Sequence, residues 1–390
     1  MKIRRKHFPE TMETYLKTYG RIPFGRMPLN EVDSLLLCQL AYLKYDGLVP
    51  GIREDKASTS LMDLAKHPRR EKLFADILFQ EENRAMFDAM VSSRRFCRLK
   101  LNCYINLVEK EREMQFSAIA FLPESGPAFV AFRGTDETFV GWKEDFNMAF
   151  LSPVPGQELS AKYLNMVAGR FSGPFYVGGH SKGGNLAVYS AMHCASCVRR
   201  RILKIYNMDG PGFRPEILKS GKYEAISDRV VKLLPHSSVV GMLFESDKNY
   251  RVVESRSFGL AQHNPFHWKI RNGHFVMAEE IRERVQQTDN TLNAWILSLD
   301  EEQIRLFVDT LYQVLSASQS DNLIAATCDW KNSMNRVIAA LKEVDEDTVK
   351  ALCKMAASLF DLARVRSREN RGRRRIHRLR KRTKAVPPTG

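Results

Sequence analysis

The chain has 390 residues, of which 44% are hydrophobic, so it can form one large core or two modest ones and is not globally disordered. Its net charge of +15 is mostly local, because Arg364 to Lys384 contain twelve lysines or arginines and one glutamate. The rest of the chain is nearly balanced in charge and gives little reason to expect a nucleic-acid groove.

The sequence also argues against a membrane span, a secretory signal and a disulfide framework. No run of about 18 apolar residues occurs, which argues against a membrane span. The basic start from Met1 to Phe8 is not followed by an apolar stretch, so we expect no secretory signal and a cytoplasmic protein. Seven cysteines at irregular spacing do not indicate a disulfide framework.

The first third of the chain has helical periodicity and then changes to strand periodicity. An asparagine cap at Asn30 opens an amphipathic helix that extends to about Leu43, and residues 55–96 continue as polar helical segments. Three β-rich runs follow and predict consecutive strands with short turns between them: Arg98–Val108, Gln115–Leu122 and Ala128–Phe132.

Strands and helices alternate in the next part of the chain. The run before Ser181 predicts a strand, with a helix before it near Gln157–Leu164 and another after it. Further strands are predicted at Ile202–Met208, Val230–Pro235 and Tyr250–Ser255. This alternation is typical of an α/β protein with a mostly parallel central sheet flanked by helices.

We therefore divide the chain into four parts. Residues 1–27 form an N-terminal segment, and residues 28–272 form the α/β core with its N-terminal helices. Residues 273–364 have helical periodicity throughout and predict a helical region that packs on or caps the core. Residues 365–390 form a basic tail that we expect to be disordered.

The segment Gly179-His-Ser-Lys-Gly183 is typical of a nucleophile elbow, in which a serine sits on a sharp turn between a strand and a helix. The turn is too tight for side chains on both sides, which explains the two glycines. Ser181 is the candidate nucleophile. The backbone N–H of Lys182 opens the helix and is the first candidate donor to an oxyanion, and Thr135, after an earlier strand, is the second.

A serine nucleophile needs a base, and the chain order in hydrolases of the elbow type places a histidine last. His263 lies in the loop after the last predicted strand and is our choice of base, with His267 and His274 as alternatives. Neither a metal nor a cofactor is required by this chemistry.

The acid that orients the base is predicted to be Asp209, which directly follows a strand and precedes a Gly-Pro-Gly turn. The alternative interpretation is that Asp209 only satisfies the backbone of that turn. Glu245 and Asp247 are the fallback acids. Arg133 is expected to make a structural ion pair, with Asp145 as the candidate partner.

Several separated motifs together resemble a known family. The segments Ala131–Asp136 and Gly179–Gly183 are similar to the oxyanion and nucleophile signatures of class 3 lipases, which are α/β hydrolases. The chain resembles a bacterial lipase-related family of uncharacterised function more closely. Four further segments carry this resemblance: Asn30–Asp33, Gly141–Asp145, Asp209–Phe213 and Gln262–Phe266.

This resemblance implies an α/β-hydrolase fold, a bacterial cytoplasmic setting, and Ser181 and His263 as nucleophile and base. Class 3 lipases usually place the acid after the next strand along, where this chain has Ser237 and Ser238, and nothing here resembles their interfacial lid. The similarity covers roughly residues 25–320.

The sequence thus predicts a serine hydrolase that cleaves acyl esters, and the substrate is either a small-molecule ester or a lipid ester. The alternative is a weak or inactive hydrolase-fold protein that is tethered to an anionic partner by its basic tail. Nucleic acid and an anionic membrane surface are the two candidate partners, and a tail that only aids solubility is the third possibility.

Overall fold

The computed structural model describes residues 11–109, 111–135, 144, 148, 153–236, 238, 240–243, 249–257, 259–278 and 303. The chain divides into two compact units, Met1–Arg282 with Ser320–Cys328, and Glu283–Gln319 with Asp329–Gly390. All elements named below belong to the first unit. The basic tail and nearly all of the predicted helical region lie outside the described residues, so both predictions remain predictions there. The prediction of helix from residue 273 onward is wrong at its start, because His274–Phe275 forms a strand.

Eight strands form one sheet in which strands that follow one another in the chain are also neighbours in space. They are β1 Thr59–Ser60, β2 Lys100–Glu109, β3 Met114–Leu122, β4 Ala128–Phe132, β5 Phe175–His180, β6 Ile202–Met208, β7 Val230–Pro235 and β8 Tyr250–Val253. Strands β1 to β4 pair antiparallel, and β4 to β8 pair in parallel. A two-stranded ribbon, β9 Ile270–Arg271 and β10 His274–Phe275, follows.

Helices flank this sheet, and the predicted α/β class is confirmed at that level. They are α1 Met12–Tyr19, α2 Glu31–Leu40, α3 Leu61–Lys66, α4 Gln80–Val91, α5 Pro155–Arg170, α6 Lys182–His193, α7 Ser196–Arg199, α8 Pro215–Leu218 and α9 Gly221–Glu224. Short 3-10 helices cover Arg70–Phe74, Ser227–Arg229, Val240–Met242, Gly259–His263 and Pro265–His267. In this part of the chain, no helix is long and apolar enough to span a bilayer.

The two faces of the sheet belong to two hydrophobic cores, as the alternation of side chains along a strand requires. Phe129 and Ala131 of β4 pack in one core with residues of α1, α2 and α4. Val130 and Phe132, which point the other way, pack with residues of α5 and α6. The helices before β2, whose role the sequence leaves open, therefore pack on one face of the sheet, together with residues of the loop and ribbon after β8.

A buried ion pair holds the N-terminal helices together. Asp33 of α2 accepts hydrogen bonds from Arg95 at 2.9 and 2.5 Å, and both side chains are fully buried. Asp33 also accepts from the Tyr15 hydroxyl at 2.9 Å and from the backbone of Asn30 at 3.1 Å. The remaining Arg95 donors bind three loop carbonyls, those of Ile22, Met27 and Pro28. Each charge is thus satisfied without water.

Candidate active site

The carboxyl ends of the parallel strands meet at one edge of the sheet, and the predicted site residues lie there. The backbone N–H of Ser181, after β5, donates to Met208 O at 3.0 Å, and that of Asp209, after β6, donates to Leu233 O at 2.9 Å. These bonds continue the ladder past the ends of the strands. Ser181 and Asp209 are therefore side by side at the same level of the sheet.

Ser181 has the strained backbone that a nucleophile elbow would require. Its φ of +58° and ψ of −134° lie outside the ordinary regions for a residue with a side chain. A Cβ on Gly179 would lie 2.1 Å from the carbonyl carbon of Gly183, and a Cβ on Gly183 would lie 2.1 Å from Phe132 O. Both glycines are needed because the end of β5 lies against the backbone of the first turn of α6, and that turn lies against the backbone at the end of β4.

We expect Gly183→Ala to lower the free energy of unfolding by about 3 kcal/mol, because the methyl group collides with backbone atoms that cannot move independently. Gly169→Ala in α5 is the control, since nothing lies within 4 Å of its Cβ, and it should be neutral or slightly stabilising. Urea unfolding compares the two. Equal effects from both substitutions would contradict the close packing of the elbow.

Asp209 and His263 are brought together by the fold. Asp209 Oδ2 lies 2.7 Å from His263 Nδ1. Asp209 is fully buried and has a φ of +53°, whereas the His263 side chain is 27% exposed. Because a carboxylate only accepts hydrogen bonds, Nδ1 carries a hydrogen, and Nε2 of the neutral ring is left able to take a proton.

His180, the residue before Ser181, contacts His263 of this pair. The rings of His180 and His263 have centroids 4.6 Å apart, and His180 Nε2 lies 2.9 Å from His263 O. The described contacts include no hydrogen bond between the Ser181 hydroxyl and His263. Catalytic hydrogen bonds are often long before substrate binds, so this geometry is compatible with a nucleophile and its base.

Ser238 provides a second partner for the Asp209 carboxylate. Its hydroxyl donates to Asp209 Oδ1 and accepts from the backbone N–H of Gly241 at 3.0 Å. Class 3 lipases usually carry their acid at this place after β7. Here the place holds a hydroxyl that binds the carboxylate of the preceding strand, so the two oxygens of Asp209 are divided between Ser238 and His263.

Ser238→Ala should lower the free energy of unfolding by about 2 kcal/mol, because a buried carboxylate oxygen loses its donor. Ser92→Ala is the matched control, since the Ser92 hydroxyl bonds a backbone carbonyl at 2.8 Å in an exposed setting and its loss should cost well under 1 kcal/mol. Urea unfolding at pH 7 measures both. If the two variants unfold at the same urea concentration, Asp209 does not depend on Ser238.

His180 is a buried, neutral histidine. Burial, and after it the nearby His263, lowers the pKa of His180 well below its ordinary value of 6.5. Since the His263 carbonyl only accepts, Nε2 donates to it, and Nδ1 accepts from the Tyr42 hydroxyl at 3.1 Å. Tyr42, which follows α2, is thereby connected to the loop that carries His263.

This buried histidine predicts a pH dependence of stability. Below about pH 6.5 the unfolded chain protonates His180 whereas the folded protein does not. The free energy of unfolding therefore decreases as the pH is lowered, by about 1.4 kcal/mol per pH unit, until the pKa of His180 in the folded protein is reached. His180→Gln should remove that part of the slope. Urea unfolding of both proteins at pH 6.5 and 5.5 tests this. As the control, the slope of the unfolding free energy against urea concentration should be the same in both proteins. Equal slopes against pH in both proteins would show that His180 is protonated in the fold.

The other candidate histidines have different partners. His267 Nδ1 lies 2.6 Å from Ser257 Oγ, and the exposed His274 lies 3.0 Å from Glu31 Oε1. Within the described residues, His263 is thus the one histidine that Asp209 binds. The fallback acids Glu245 and Asp247 lie outside those residues.

The candidate oxyanion donors flank the elbow. Lys182 is the first residue of α6, and its backbone N–H is the donor predicted from the sequence. A Cβ on Gly134 would lie 2.7 Å from His180 O, so the chain after β4 packs directly against the elbow and carries the buried Thr135 next to it.

Arg133 is buried and donates to Asn106 Oδ1 at 2.9 Å, while Asp145, its predicted partner, lies outside the described residues.

Sequence reasoning missed several residues of the site. They are Tyr42, His180 and Ser238. His180 stands inside the elbow motif and could have been questioned on that ground, because a histidine at the end of a buried strand needs hydrogen-bond partners. Ser238 could have been found from its place after β7, where related proteins carry the acid.

The sequence profile of the Mbeg1-like family matches residues 90–313, which is more than half of the chain. The chain belongs to the Mbeg1-like family. The matched segment begins at the end of α4 and includes Ser181, Asp209 and His263. Membership agrees with the lipase-like resemblance of the motifs, while the bacterial setting stays a prediction.

Other comparisons add little to the Mbeg1-like assignment. No curated protein matches the sequence. Among solved structures, the crystal structure of M37 lipase is similar, with 11% identity, 64% of this chain and 82% of that chain covered, and a TM-score of 0.32. A similarity of that size supports no inference about the site.

Proposed function

We propose that this Mbeg1-like protein is a serine hydrolase with an α/β-hydrolase fold that cleaves acyl esters. Ser181 is the nucleophile, His263 the base and Asp209 the acid that orients it. One observation carries the proposal: the buried Asp209 carboxylate binds His263 Nδ1 at 2.7 Å, beside a serine on a strained elbow. The chain order of serine, acid and histidine is that of hydrolases with such an elbow.

The reaction follows from these positions. His263 Nε2 takes the proton of the Ser181 hydroxyl while Oγ attacks the ester carbonyl carbon. The carbonyl oxygen becomes an oxyanion, which the backbone N–H groups of Lys182 and Thr135 stabilise. The bond to the alcohol oxygen then breaks, and His263 gives its proton to the departing alcohol. Water, activated by the same histidine, hydrolyses the acyl-serine and regenerates Ser181.

The proposal is tested with a fluorophosphonate probe at neutral pH. The wild-type protein should be labelled, and Ser181→Ala and His263→Ala should not be labelled. His267→Ala is the control, because His267 binds Ser257 and not Asp209, and it should keep the labelling of the wild type. Labelling that survives in Ser181→Ala, or a folded wild-type protein that stays unlabelled, would overturn the proposal.

The charge of the tail favours a second role, as a tether to an anionic surface. Twelve cationic side chains between Arg364 and Lys384 should give strongly salt-dependent binding. We expect deletion of residues 365–390 to abolish binding to RNA or to anionic vesicles, whichever the intact protein binds, and to leave fluorophosphonate labelling unchanged. Binding that is unaffected by the deletion, or absent from the intact protein, would contradict a tether.

A further inference from the structure

A buried lysine side chain lies beneath the elbow. Lys182 is 2% exposed, and its Nζ donates to Gln115 O at 2.8 Å, to Gln115 Oε1 at 2.7 Å and to Glu144 Oε2 at 3.0 Å. An ammonium group has three N–H donors, and these contacts use all of them. The lysine therefore has no donor left for Ser181 and cannot serve as its base.

The carboxylate that faces this lysine is itself held by backbone groups. Glu144 is 1% exposed, and its Oε2 also accepts from Gln115 N at 3.0 Å, while its Oε1 accepts from Gly156 N at 2.9 Å. Gly156 lies in the first turn of α5, where the helix dipole favours a negative charge. A Cβ on Gly156 would come within 2.6 Å of Oε1, so the glycine permits this approach.

The two charges thus connect three parts of the fold at one point. The elbow contributes Lys182, β3 contributes Gln115, and the start of α5 is held through Glu144. A buried ion pair is a weak source of stability, because removing two charges from water costs about as much as their attraction returns. Its directional bonds do fix the position of the residue that carries the charge.

We propose that the Lys182–Glu144 pair positions the oxyanion hole. The backbone N–H of Lys182 is the donor assigned to the oxyanion in the proposed function, on which this inference rests, and the side chain of the same residue anchors that peptide to β3 and α5. Glu144 and the Lys182 ammonium are positioning groups, because neither touches the reacting atoms.

The test compares Lys182→Met with Lys182→Met/Glu144→Gln. Methionine keeps the unbranched stem and removes the ammonium, and the second change removes the carboxylate charge that the first leaves unpaired. The readouts are the melting temperature and the rate of labelling by a fluorophosphonate. In labelling, the Ser181 Oγ–P bond forms, the P–F bond breaks, fluoride leaves and the serine proton passes to His263, while the phosphoryl oxygen occupies the oxyanion hole.

We expect Lys182→Met to melt well below the wild type and to be labelled about 10- to 100-fold more slowly, since a small displacement of a donor costs that much. The double variant should recover most of the lost melting temperature and stay slow. The pH midpoint of labelling should not move in either variant, because Nζ makes no contact with His263. Lys17→Met, which removes an exposed ion pair with Glu13, is the control and should change neither readout.

Recovery of the labelling rate together with the melting temperature would show that the pair is only structural, and wild-type labelling of Lys182→Met would show that it has no role. If Lys182→Met does not fold, the double variant alone decides the question by its rate. Failure of the proposed function looks different, because the wild-type protein itself would then stay unlabelled at Ser181.

Discussion

Asp209→Asn is expected to lower kcat for a short-chain p-nitrophenyl ester about 10⁴-fold while the protein stays folded. Asp209 accepts hydrogen bonds at both carboxylate oxygens, from Ser238 and from His263. An amide has one oxygen and so cannot accept from both. With its nitrogen toward His263, the ring must leave Nδ1 unprotonated and carries its hydrogen on Nε2, where it cannot take the serine proton.

The opposite orientation of the amide fails for another reason. With its nitrogen toward Ser238, the serine hydroxyl loses its acceptor, and the imidazolium that forms during attack has no carboxylate to stabilise it. Asp228→Asn is the control, because the Asp228 side chain is 78% exposed, pairs with Arg229 and has no role in the proposed reaction. Circular dichroism and the melting temperature establish folding. If Asp209→Asn keeps more than a tenth of the wild-type kcat, the acid is another residue.

Asp33→Ala should lower the free energy of unfolding by about 3–5 kcal/mol, because it leaves the Arg95 guanidinium buried without its counter-charge. Both side chains are fully buried, and Asp33 also accepts from the Tyr15 hydroxyl. Urea unfolding followed by circular dichroism measures the loss. The effect should appear in stability alone, since the hydrogen bonds of Asp33 and Arg95 go to residues of the N-terminal region and not to Ser181, Asp209 or His263.

The control for this substitution is an ion pair of the same chemistry on the surface. Arg70 pairs with Asp88 of α4, whose side chain is 51% exposed, and Asp88→Ala should cost less than about 1 kcal/mol. A second test is Asp33→Leu/Arg95→Met, which removes both charges and should be more stable than Asp33→Ala. If Asp33→Ala and Asp88→Ala destabilise equally, burial does not govern the Arg95 pair.

The local chemistry of the sequence was sufficient to predict β2 to β8, but not the short strands β1, β9 and β10. It also singled out Ser181, Asp209 and His263 as candidate site residues. β6 and β7 have the bounds that the β-rich runs predicted, and the structure places Ser181 and Asp209 at the ends of two neighbouring strands. The reason is physical: in a parallel sheet all carboxyl ends lie at one edge, so residues after strands meet. Their catalytic roles remain proposals.

Contacts between distant segments could not be predicted in this way. Lys182 meets Glu144 across 38 residues, and Arg95 meets Asp33 across 62. Both pairs depend on how helices dock on the sheet, and no periodicity in one segment indicates its partner in another. Ser238 stands at the place where class 3 lipases carry their acid, but its hydrogen bond to Asp209 could not be predicted, because that contact depends on β7 pairing beside β6.

The order of strands in the sheet follows the order of the chain, and this has a consequence for synthesis on the ribosome. Each new strand from β2 to β8 can add to an edge that already exists, so the sheet can grow from its N-terminal side as the chain emerges. The elbow is complete once β5 and α6 have formed, but His263 comes after β8, the last strand of this sheet. Under the proposed function, a nascent chain would therefore carry the nucleophile without its base, and hydrolysis would begin only when the loop after β8 has been added.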